Sequence, residues 1–209
     1  MLNNLTQFII QFPILLFSIT VHEYMHGRIA DKFGDDTARV MGRLTLNPLA
    51  HIDMIGTIIL TLLSAITGWP LFGWAKPVPV NPYRLNNPKQ DMIFVGLAGP
   101  AANLLLIIVS SVCIWLLRSF APVQMLEYTY PVFQFMLVIN AVLLVFNLVP
   151  IPPLDGSRIV SGLLPHDLAY KYERITPYGF FIVLFLLSSG MLWSIMGPVV
   201  NFIIHLFST

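Results

Sequence analysis

Long apolar stretches alternate with short polar connections along this chain, and the lengths of the stretches indicate what they form. The apolar stretches are Leu5–Ala30, Met54–Ile66, Met92–Leu117, Val132–Val149 and Tyr178–Phe207. A helix needs about 20 residues to cross the hydrocarbon core of a bilayer. Four stretches are long enough, whereas Met54–Ile66 is too short. All five are predicted to be helical, because the edge of an open sheet cannot face lipid.

The connections between the apolar stretches favour a different backbone. Thr37–Thr45 and Phe72–Val80 alternate in polarity or are broken by prolines, which predicts short extended pieces. The sequence thus predicts an all-α polytopic membrane protein with about four transmembrane helices. A re-entrant segment and the short extended pieces are expected near the inner face. Residues 1–209 are expected to form a single domain, since no repeat or linker divides them.

Charged residues are scarce. The chain is 56% hydrophobic and 10% charged, whereas a soluble domain carries about 25% charged residues. Eleven Lys and Arg with ten Asp and Glu cannot coat a soluble globule, and a net charge of +1 provides no basic surplus for a nucleic acid. Cys113 is the single cysteine, so an internal disulfide is excluded. The composition therefore favours an integral membrane protein that binds no nucleic acid.

The pentapeptide HEYMH at residues 22–26 lies near the end of the first apolar stretch. Residues four apart share one face of a helix, so His22 and His26 can hold one zinc ion. Glu23 then lies beside them, where it can deprotonate a water molecule. Ionisable residues within a membrane span are costly and are functional by default. The pentapeptide therefore favours metal-linked catalysis over the alternative, a structural polar cluster.

A catalytic zinc ion needs a third protein ligand and an open position for water. The position six residues beyond the second histidine is Lys32, so a third histidine of the extended motif is missing. Glu127, Glu173 and Asp155 remain as candidates. Asp155 is favoured because it follows a proline-broken segment, and irregular backbone at membrane depth occurs where it is buried or lines a cavity. The alternative for Asp155 is an interfacial turn with a capping aspartate.

Three segments together carry a family resemblance. They are HEYMH at 22–26, AGPAAN at 98–103 and NLVPIPPLDG at 147–156. With these segments in this order, the chain resembles the site-2 protease family of intramembrane zinc metalloproteases, in particular its compact prokaryotic members. Larger relatives carry a PDZ domain or a nucleotide-sensing regulatory domain. We expect neither domain here, so recruitment and regulation by them are not carried over.

The resemblance implies both an activity and a set of residues. It implies a zinc-dependent endopeptidase that uses zinc-activated water to cleave a transmembrane or membrane-proximal segment of a membrane protein. It places Zn²⁺ on His22, His26 and Asp155, with Glu23 as the general base. It also places Asn147 near the site, where it positions the substrate or stabilises the oxyanion. The implied partners are the membrane-protein substrate and the lipid bilayer, and no oligomeric state is predicted.

A shared zinc ion constrains the topology. His22, His26 and Asp155 must lie at similar depth, so the first and fourth apolar stretches both end near one face. Residues 54–66 must then dip into the membrane and return. This arrangement puts ten of the eleven basic residues on one side and leaves Arg118 on the other. By the positive-inside rule, the active site is expected near the cytoplasmic face of a prokaryotic cell membrane.

Three more polar residues are candidates for contacts with the substrate or with the metal ligands. Asn103 either faces the site or forms a polar contact between helices. His51 and Asp53 either form a gating or supporting pair beside the site, or belong to a surface turn with an aspartate at a helix start.

Two other functions use the same features. A membrane zinc hydrolase of a lipid-like substrate could employ the same metal ligands, and a defined peptide product would exclude it. A non-enzymatic metal carrier would need polar residues along a whole path. The third and fourth apolar stretches supply few polar residues, so an enzyme is favoured.

Overall fold

A computed structural model describes residues 4–67 and 73–208 of the chain. The described residues are largely helical and contain no strand. The helices are α1 (Asn4–Lys32), α2 (Thr37–Val40), α3 (Leu60–Thr67), α4 (Pro88–Phe120), α5 (Val123–Asn147), α6 (Asp155–Leu163), α7 (His166–Glu173), α8 (Thr176–Ser188) and α9 (Met191–Ser208). Short 3₁₀ turns cover Pro48–His51 and Pro82–Arg84, and a π-helical segment, Met54–Ile59, leads into α3.

Four helices within the described ranges are long and apolar enough to cross a membrane. They are Gln7–Lys32, Pro88–Phe120, Val123–Asn147 and Met191–Ser208. These helices confirm the predicted all-α polytopic membrane protein. The fourth apolar stretch, residues 132–149, forms a helix that begins earlier than expected, because helical structure continues back through Pro131 to Val123.

The short apolar stretch is helical from Met54 to Thr67, first as π-helix and then as α3. The carboxylate of Asp53 accepts hydrogen bonds from the backbone N–H groups of Ile55 and Gly56 and so caps its start. Within the described residues, this helical segment is shorter than a span needs. Its dip into the membrane stays a prediction. Residues 68–72 lie outside the described residues, and they include Phe72, the first residue of a predicted extended piece.

The prediction of an extended piece at residues 37–45 is wrong for its first four residues, which form α2. The cause is Asp35, whose buried carboxylate accepts hydrogen bonds from the backbone N–H and the hydroxyl of Thr37. Such a local side-chain contact turns the backbone and starts a helical turn. Residues 73–80 form neither helix nor strand, which agrees with the exclusion of helix by their prolines.

The last apolar stretch, residues 178–207, divides into α8 and α9 at Gly190. The φ angle of Gly190 is 73°, a left-handed conformation that glycine adopts without a steric penalty. The sequence left open a broken span or one span with an additional helix. The structure has two helices, of which only α9 is long enough to cross a membrane.

Helix α4 lies at the centre of the packing and contacts α1, α5, α6 and α9. One buried cluster joins α4, α5 and α9 and contains Ile107, Ile114, Leu137, Ala141 and Val200. A second buried cluster joins the end of α1 to the start of α4 and contains Ala30, Leu85 and Val95. Because α4 also packs on α6, it brings the start of α6 beside α1, where the candidate site lies.

Candidate metal centre

Two histidines of α1 and the first residue of α6 meet in the interior. The Nε2 atoms of His22 and His26 are 3.0 Å apart, and each lies 3.1 Å from Oδ2 of Asp155. All three residues are buried, with at most 6% of their surface exposed. They are the one cluster of three potential metal ligands found in residues 4–67 and 73–208. The structure thus brings together the three residues predicted to bind zinc.

Local backbone structure sets these ligands in place. The two histidines are one helical turn apart on α1, so both rings project from the same face. Asp155 begins α6 directly after the irregular segment 148–154. The backbone of Gly156 packs so closely on Leu148 that a Cβ atom at this position would overlap the Leu148 carbonyl group. Glycine at position 156 therefore allows α6 to start where its aspartate reaches the histidines.

The backbone of α4 forms one wall of the cluster. A Cβ atom on Gly99 would overlap both Cε1 of His22 and Nε2 of His26. One turn earlier, a Cβ atom on Gly96 would lie 3.2 Å from the Asp155 carbonyl oxygen. From the sequence, this glycine-containing segment indicated only close helix packing. Its contact with the candidate ligands depends on the register between α1 and α4, which the sequence pattern does not give.

Hydrogen bonding fixes the proton on His26. Its Nδ1 atom lies 2.7 Å from the carbonyl oxygen of Val95, which can only accept a hydrogen bond. In the neutral ring the hydrogen is therefore on Nδ1, and Nε2 carries a lone pair. That lone pair faces the Asp155 carboxylate and the His22 ring.

A metal ligand needs an available lone pair, and Nε2 of His26 and the carboxylate of Asp155 direct theirs to the same point. Two imidazoles and a carboxylate are ligands that Zn²⁺ prefers. A backbone carbonyl that orients a ligand histidine is typical of metal sites. The cluster of His22, His26 and Asp155 therefore fits a zinc ion.

The two oxygens of Asp155 have different surroundings. Oδ2 faces the two imidazoles, whereas Oδ1 lies 3.5 Å from Nη1 of Arg158, one turn along α6.

Glu23, the predicted general base, follows His22 on α1 and is half-buried. Its Oε2 atom accepts a hydrogen bond of 2.7 Å from the backbone N–H of Val78. Val78 belongs to the irregular segment 73–80. This segment is attached to the 3₁₀ turn at residues 48–51, because the N–H of Lys76 donates to the carbonyl of His51 over 2.9 Å. The proline-broken segment 73–80 therefore holds the carboxylate of Glu23 in place.

The sequence suggested that His51 and Asp53 form a pair beside the site, but the two residues have different hydrogen-bond partners in the structure. His51 is fully buried, and its Nε2 atom donates to the Thr45 carbonyl over 2.9 Å, so its placement in a surface turn is wrong. Asp53 caps the helical segment at Met54–Ile59, as the helix-start interpretation predicts. A gating role for these two residues stays a prediction.

Two asparagines complete the predicted site residues. Asn147 is the last residue of α5, and its amide Nδ2 donates to the Leu143 carbonyl within the same helix over 3.0 Å. Its predicted contact with the substrate or oxyanion stays a prediction. Asn103 is fully buried in α4, and neither of its side-chain polar atoms has a hydrogen-bond partner in the described part of the chain. Of the other candidate ligands, Glu173 bonds to the hydroxyl of Ser161.

Comparison with known proteins adds independent information. Residues 120–189 match the model of a family described as "Peptidase family M50". A Bacillus subtilis protein named "Putative zinc metalloprotease YwhC" is 38% identical over 201 residues, which cover 93% of this chain and 89% of the relative. No solved structure matches the chain.

Two more distant relatives carry similar names. A Mycolicibacterium smegmatis protein named "Putative zinc metalloprotease Rip2" is 34% identical over 182 residues, covering 85% of this chain and 66% of the relative. A zinc metalloprotease of Methanocaldococcus jannaschii is 24% identical over 193 residues, covering 91% of this chain and 45% of the relative. The chain thus spans nearly all of the Bacillus relative but only part of these two.

Proposed function

Because the chain belongs to peptidase family M50, the site-2 proteases, we propose that this zinc metalloprotease cleaves a transmembrane or membrane-proximal segment of another membrane protein. The observation that carries the proposal is the convergence of His22, His26 and Asp155 between helices α1 and α6. Helix α1 is long and apolar enough to span a membrane. A metal centre built on such a helix favours a substrate that is itself in the bilayer.

His22, His26 and Asp155 would hold the zinc ion through Nε2, Nε2 and Oδ2. When bound, zinc makes a water molecule more acidic and polarises the carbonyl of the peptide bond. The carbonyl of Val95 keeps the hydrogen of His26 on Nδ1, so that Nε2 is available as a ligand. Arg158 stays on the Oδ1 side of Asp155 and leaves Oδ2 to the metal.

Glu23 would move the proton. Its Oε2 atom is held by the N–H of Val78, which leaves Oε1 to take a proton from the attacking water. The same carboxyl would then give that proton to the leaving amine as the peptide bond breaks. The hydrogen bond from segment 73–80 would keep the carboxylate in one orientation during both transfers.

Asn147 would stabilise the oxyanion. A side-chain amide carries two hydrogens on Nδ2, and one of them bonds to the carbonyl of Leu143. The second hydrogen can donate to the oxygen of the scissile carbonyl as negative charge develops there.

The substrate must lose helical structure before cleavage, because a helix engages its carbonyl groups in hydrogen bonds. An unwound substrate would lie along segment 73–80, next to Glu23. The N–H groups of Trp74, Lys76 and Val78 are bound to other parts of the protein, and Pro77 and Pro79 have none. The carbonyl oxygens of Trp74, Lys76 and Pro77 also accept hydrogen bonds, from Thr57 and Arg43. Pairing would therefore rely on the remaining backbone groups of this segment.

The proposal includes a location. Residues 1–209 would form one protease domain in a prokaryotic cell membrane, with the metal centre near the cytoplasmic face. The distribution of basic residues, ten on one side and Arg118 on the other, supports this orientation.

Glu23→Gln tests the mechanism. In lipid vesicles that contain purified protein and a labelled membrane-spanning peptide, this variant should bind zinc like the wild type but release no detectable product. The matched control is Glu127→Gln, which makes the same change at an exposed position near the start of α5. Cleavage by Glu23→Gln at the wild-type rate would contradict the mechanism. A wild-type protein that hydrolyses lipid esters but no peptide would indicate a lipid hydrolase.

A further inference from the structure

Helices α1 and α4 run side by side, and two contacts define their register. Nδ1 of His26 bonds to the carbonyl of Val95. One turn away, the backbone of Gly99 lies against the ring of His22. The sequence numbers rise along α4 as they fall along α1, so the helices are antiparallel. One further turn in the same direction places Ser18 of α1 at the level of Asn103 of α4.

Helix α5 reaches the same level with a third polar residue. Nδ2 of Asn140 donates to the hydroxyl oxygen of Ser18 over 2.9 Å. One turn further from the metal centre, Ile107 of α4 and Leu137 of α5 share an apolar cluster. Ser18, Asn103 and Asn140 are all fully buried. We call these three residues the polar node, which lies one helical turn from the metal centre.

The polar node contains buried side-chain atoms that have no hydrogen-bond partner among the described residues. Both side-chain polar atoms of Asn103 and Oδ1 of Asn140 are buried and have no partner among residues 4–67 and 73–208. Buried polar groups in native proteins are almost always paired, with ordered water where protein groups are absent. Several such groups at one level provide the two to four partners that a buried water molecule needs.

His22 has a matching requirement. If its Nε2 atom binds the metal, its hydrogen must be on Nδ1. That Nδ1 atom is buried and has no protein partner in the described ranges. The other histidine, His26, has the carbonyl of Val95 for the same purpose. Ligand histidines almost always donate their second N–H group to an acceptor, so His22 lacks an acceptor that the protein itself does not supply.

We propose that Asn103 is a positioning residue of the metal centre, which it reaches through a buried water molecule held by the polar node. That water accepts the hydrogen bond from Nδ1 of His22 and is itself bound by the side chain of Asn103. The network fixes the ring so that Nε2 faces the metal. This inference rests on the proposed zinc site, and it adds a supporting network that lies deeper between the helices than the ligands.

Zinc affinity tests the proposal, measured by chelator competition on the purified full chain in detergent. Loss of a hydrogen-bonded partner of a ligand histidine lowers metal affinity by about 10–100-fold. Asn103→Leu should show a loss of this size, because leucine fills the space and binds no water. Asn103→Asp keeps an acceptor at the same position and should retain affinity close to the wild type.

Ser110→Ala is the matched control on the same helix. Ser110 is also fully buried in α4, but its hydroxyl donates to the Leu106 carbonyl of its own helix. This variant should bind zinc like the wild type. A second readout is the visible absorption of the Co²⁺-substituted protein, which reports ligand geometry. Asn103→Leu should alter that spectrum and Ser110→Ala should not, whereas a purely structural role of Asn103 would leave the spectrum unchanged.

The outcomes distinguish a failure of the proposed role of Asn103 from a failure of the proposed zinc site. Wild-type affinity in Asn103→Leu, or an equal loss in Ser110→Ala, would overturn the role of Asn103 while the zinc site stands. A wild-type protein that binds no zinc would overturn the proposed function itself. If Asn103→Leu does not fold, an experimental structure of the zinc-loaded wild type decides. A water bound to both Asn103 and Nδ1 of His22 supports the network, and a node without water overturns it.

Discussion

The carbonyl of Val95 shows how a residue without a reactive side chain can shape a metal centre. It accepts a hydrogen bond from Nδ1 of His26 and so determines which ring nitrogen carries the lone pair. That lone pair faces the carboxylate of Asp155 and a second imidazole. Two imidazole nitrogens and a carboxylate oxygen at one point are a donor set that a zinc ion takes.

Removal of the carboxylate should therefore release the metal. Asp155→Ala leaves two imidazoles, and a catalytic zinc site usually has three protein ligands. We expect elemental analysis of purified Asp155→Ala to find little zinc after dialysis, with peptide cleavage lost. Asp167→Ala removes an exposed carboxylate from α7 and should keep about one zinc ion per chain. Full zinc occupancy in Asp155→Ala would contradict the ligand assignment.

Glycine 99 provides a steric test. A methyl group at this position would overlap the rings of His22 and His26. Gly99→Ala should therefore lose zinc and lower the free energy of unfolding by about 1–3 kcal/mol, the usual cost of overpacking. The comparison variant is Gly197→Ala in α9, where the nearest side-chain atom would lie 3.5 Å from the new Cβ atom.

Alanine is preferred to glycine within a helix by about 0.5–1 kcal/mol, so Gly197→Ala should be neutral or stabilising. Thermal unfolding in detergent measures both changes. Equal stability and equal zinc content in the two variants would contradict a close steric contact between Gly99 and the two histidines.

The sequence was sufficient to select the three residues that the structure brings together, but not to predict their surroundings. His22 and His26 could be predicted because helical periodicity alone places them on one face, and Asp155 because prolines interrupt the membrane helix before it. The wall formed by Gly99 and the position of Asn103 depend on the register between two helices distant in sequence. That register comes from side-chain packing, which no local pattern records.

At the scale of the elements, one buried aspartate organises the connection after α1. Asp35 is fully buried, and its carboxylate accepts hydrogen bonds from the N–H groups of Thr37 and Asn81, over 3.1 and 2.6 Å. It starts α2 and ties that turn to the chain just beyond segment 73–80. The local contact with Thr37 explains why residues 37–40 are helical although their polarity alternates.

Asp35→Ala should destabilise the protein by about 2–4 kcal/mol, because buried donors lose a charged acceptor. The neighbouring Asp36→Ala breaks only the partly exposed ion pair with Arg84 and should cost about 0–1 kcal/mol. Urea or thermal unfolding in detergent, followed by circular dichroism, compares the two variants. If Asp35→Ala were no more destabilising than Asp36→Ala, the connection would not depend on this carboxylate.

The presence of the long helices followed from hydropathy, since a span must be long and apolar whatever it packs against. Their ends were less predictable. Helix α5 continues back through Pro131, and the last apolar stretch breaks at Gly190. A proline within a helix is tolerated only in suitable tertiary surroundings, and a glycine can either continue a helix or end it. Composition alone therefore does not place these boundaries.

For the whole molecule, the proposed metal centre would set the orientation of the chain. Ligands from α1 and α6 can meet only if the two ends lie at the same depth, and the positive-inside rule then favours the cytoplasmic side for that end. The connection between α3 and α4 would also lie in the cytoplasm, and the turn between α4 and α5 outside.

Single cysteines test this topology in intact cells. With Cys113 replaced by alanine, Asn87→Cys should be protected from a membrane-impermeant maleimide and should react after lysis. Val123→Cys, which is exposed at the start of α5, should react in intact cells. Labelling of Asn87→Cys from the outside would place the α3–α4 connection on the wrong side and contradict the orientation.

Helices α1 and α6 are proposed to supply the ligands of one zinc ion. X-ray absorption at the zinc edge of the purified wild type reports those ligands. The expected spectrum shows nitrogen and oxygen ligands at about 2.0–2.2 Å with scattering from two imidazole rings, and one imidazole fewer in His26→Ala. A zinc-free protein, a sulfur ligand at about 2.3 Å, or an unchanged spectrum in His26→Ala would contradict it.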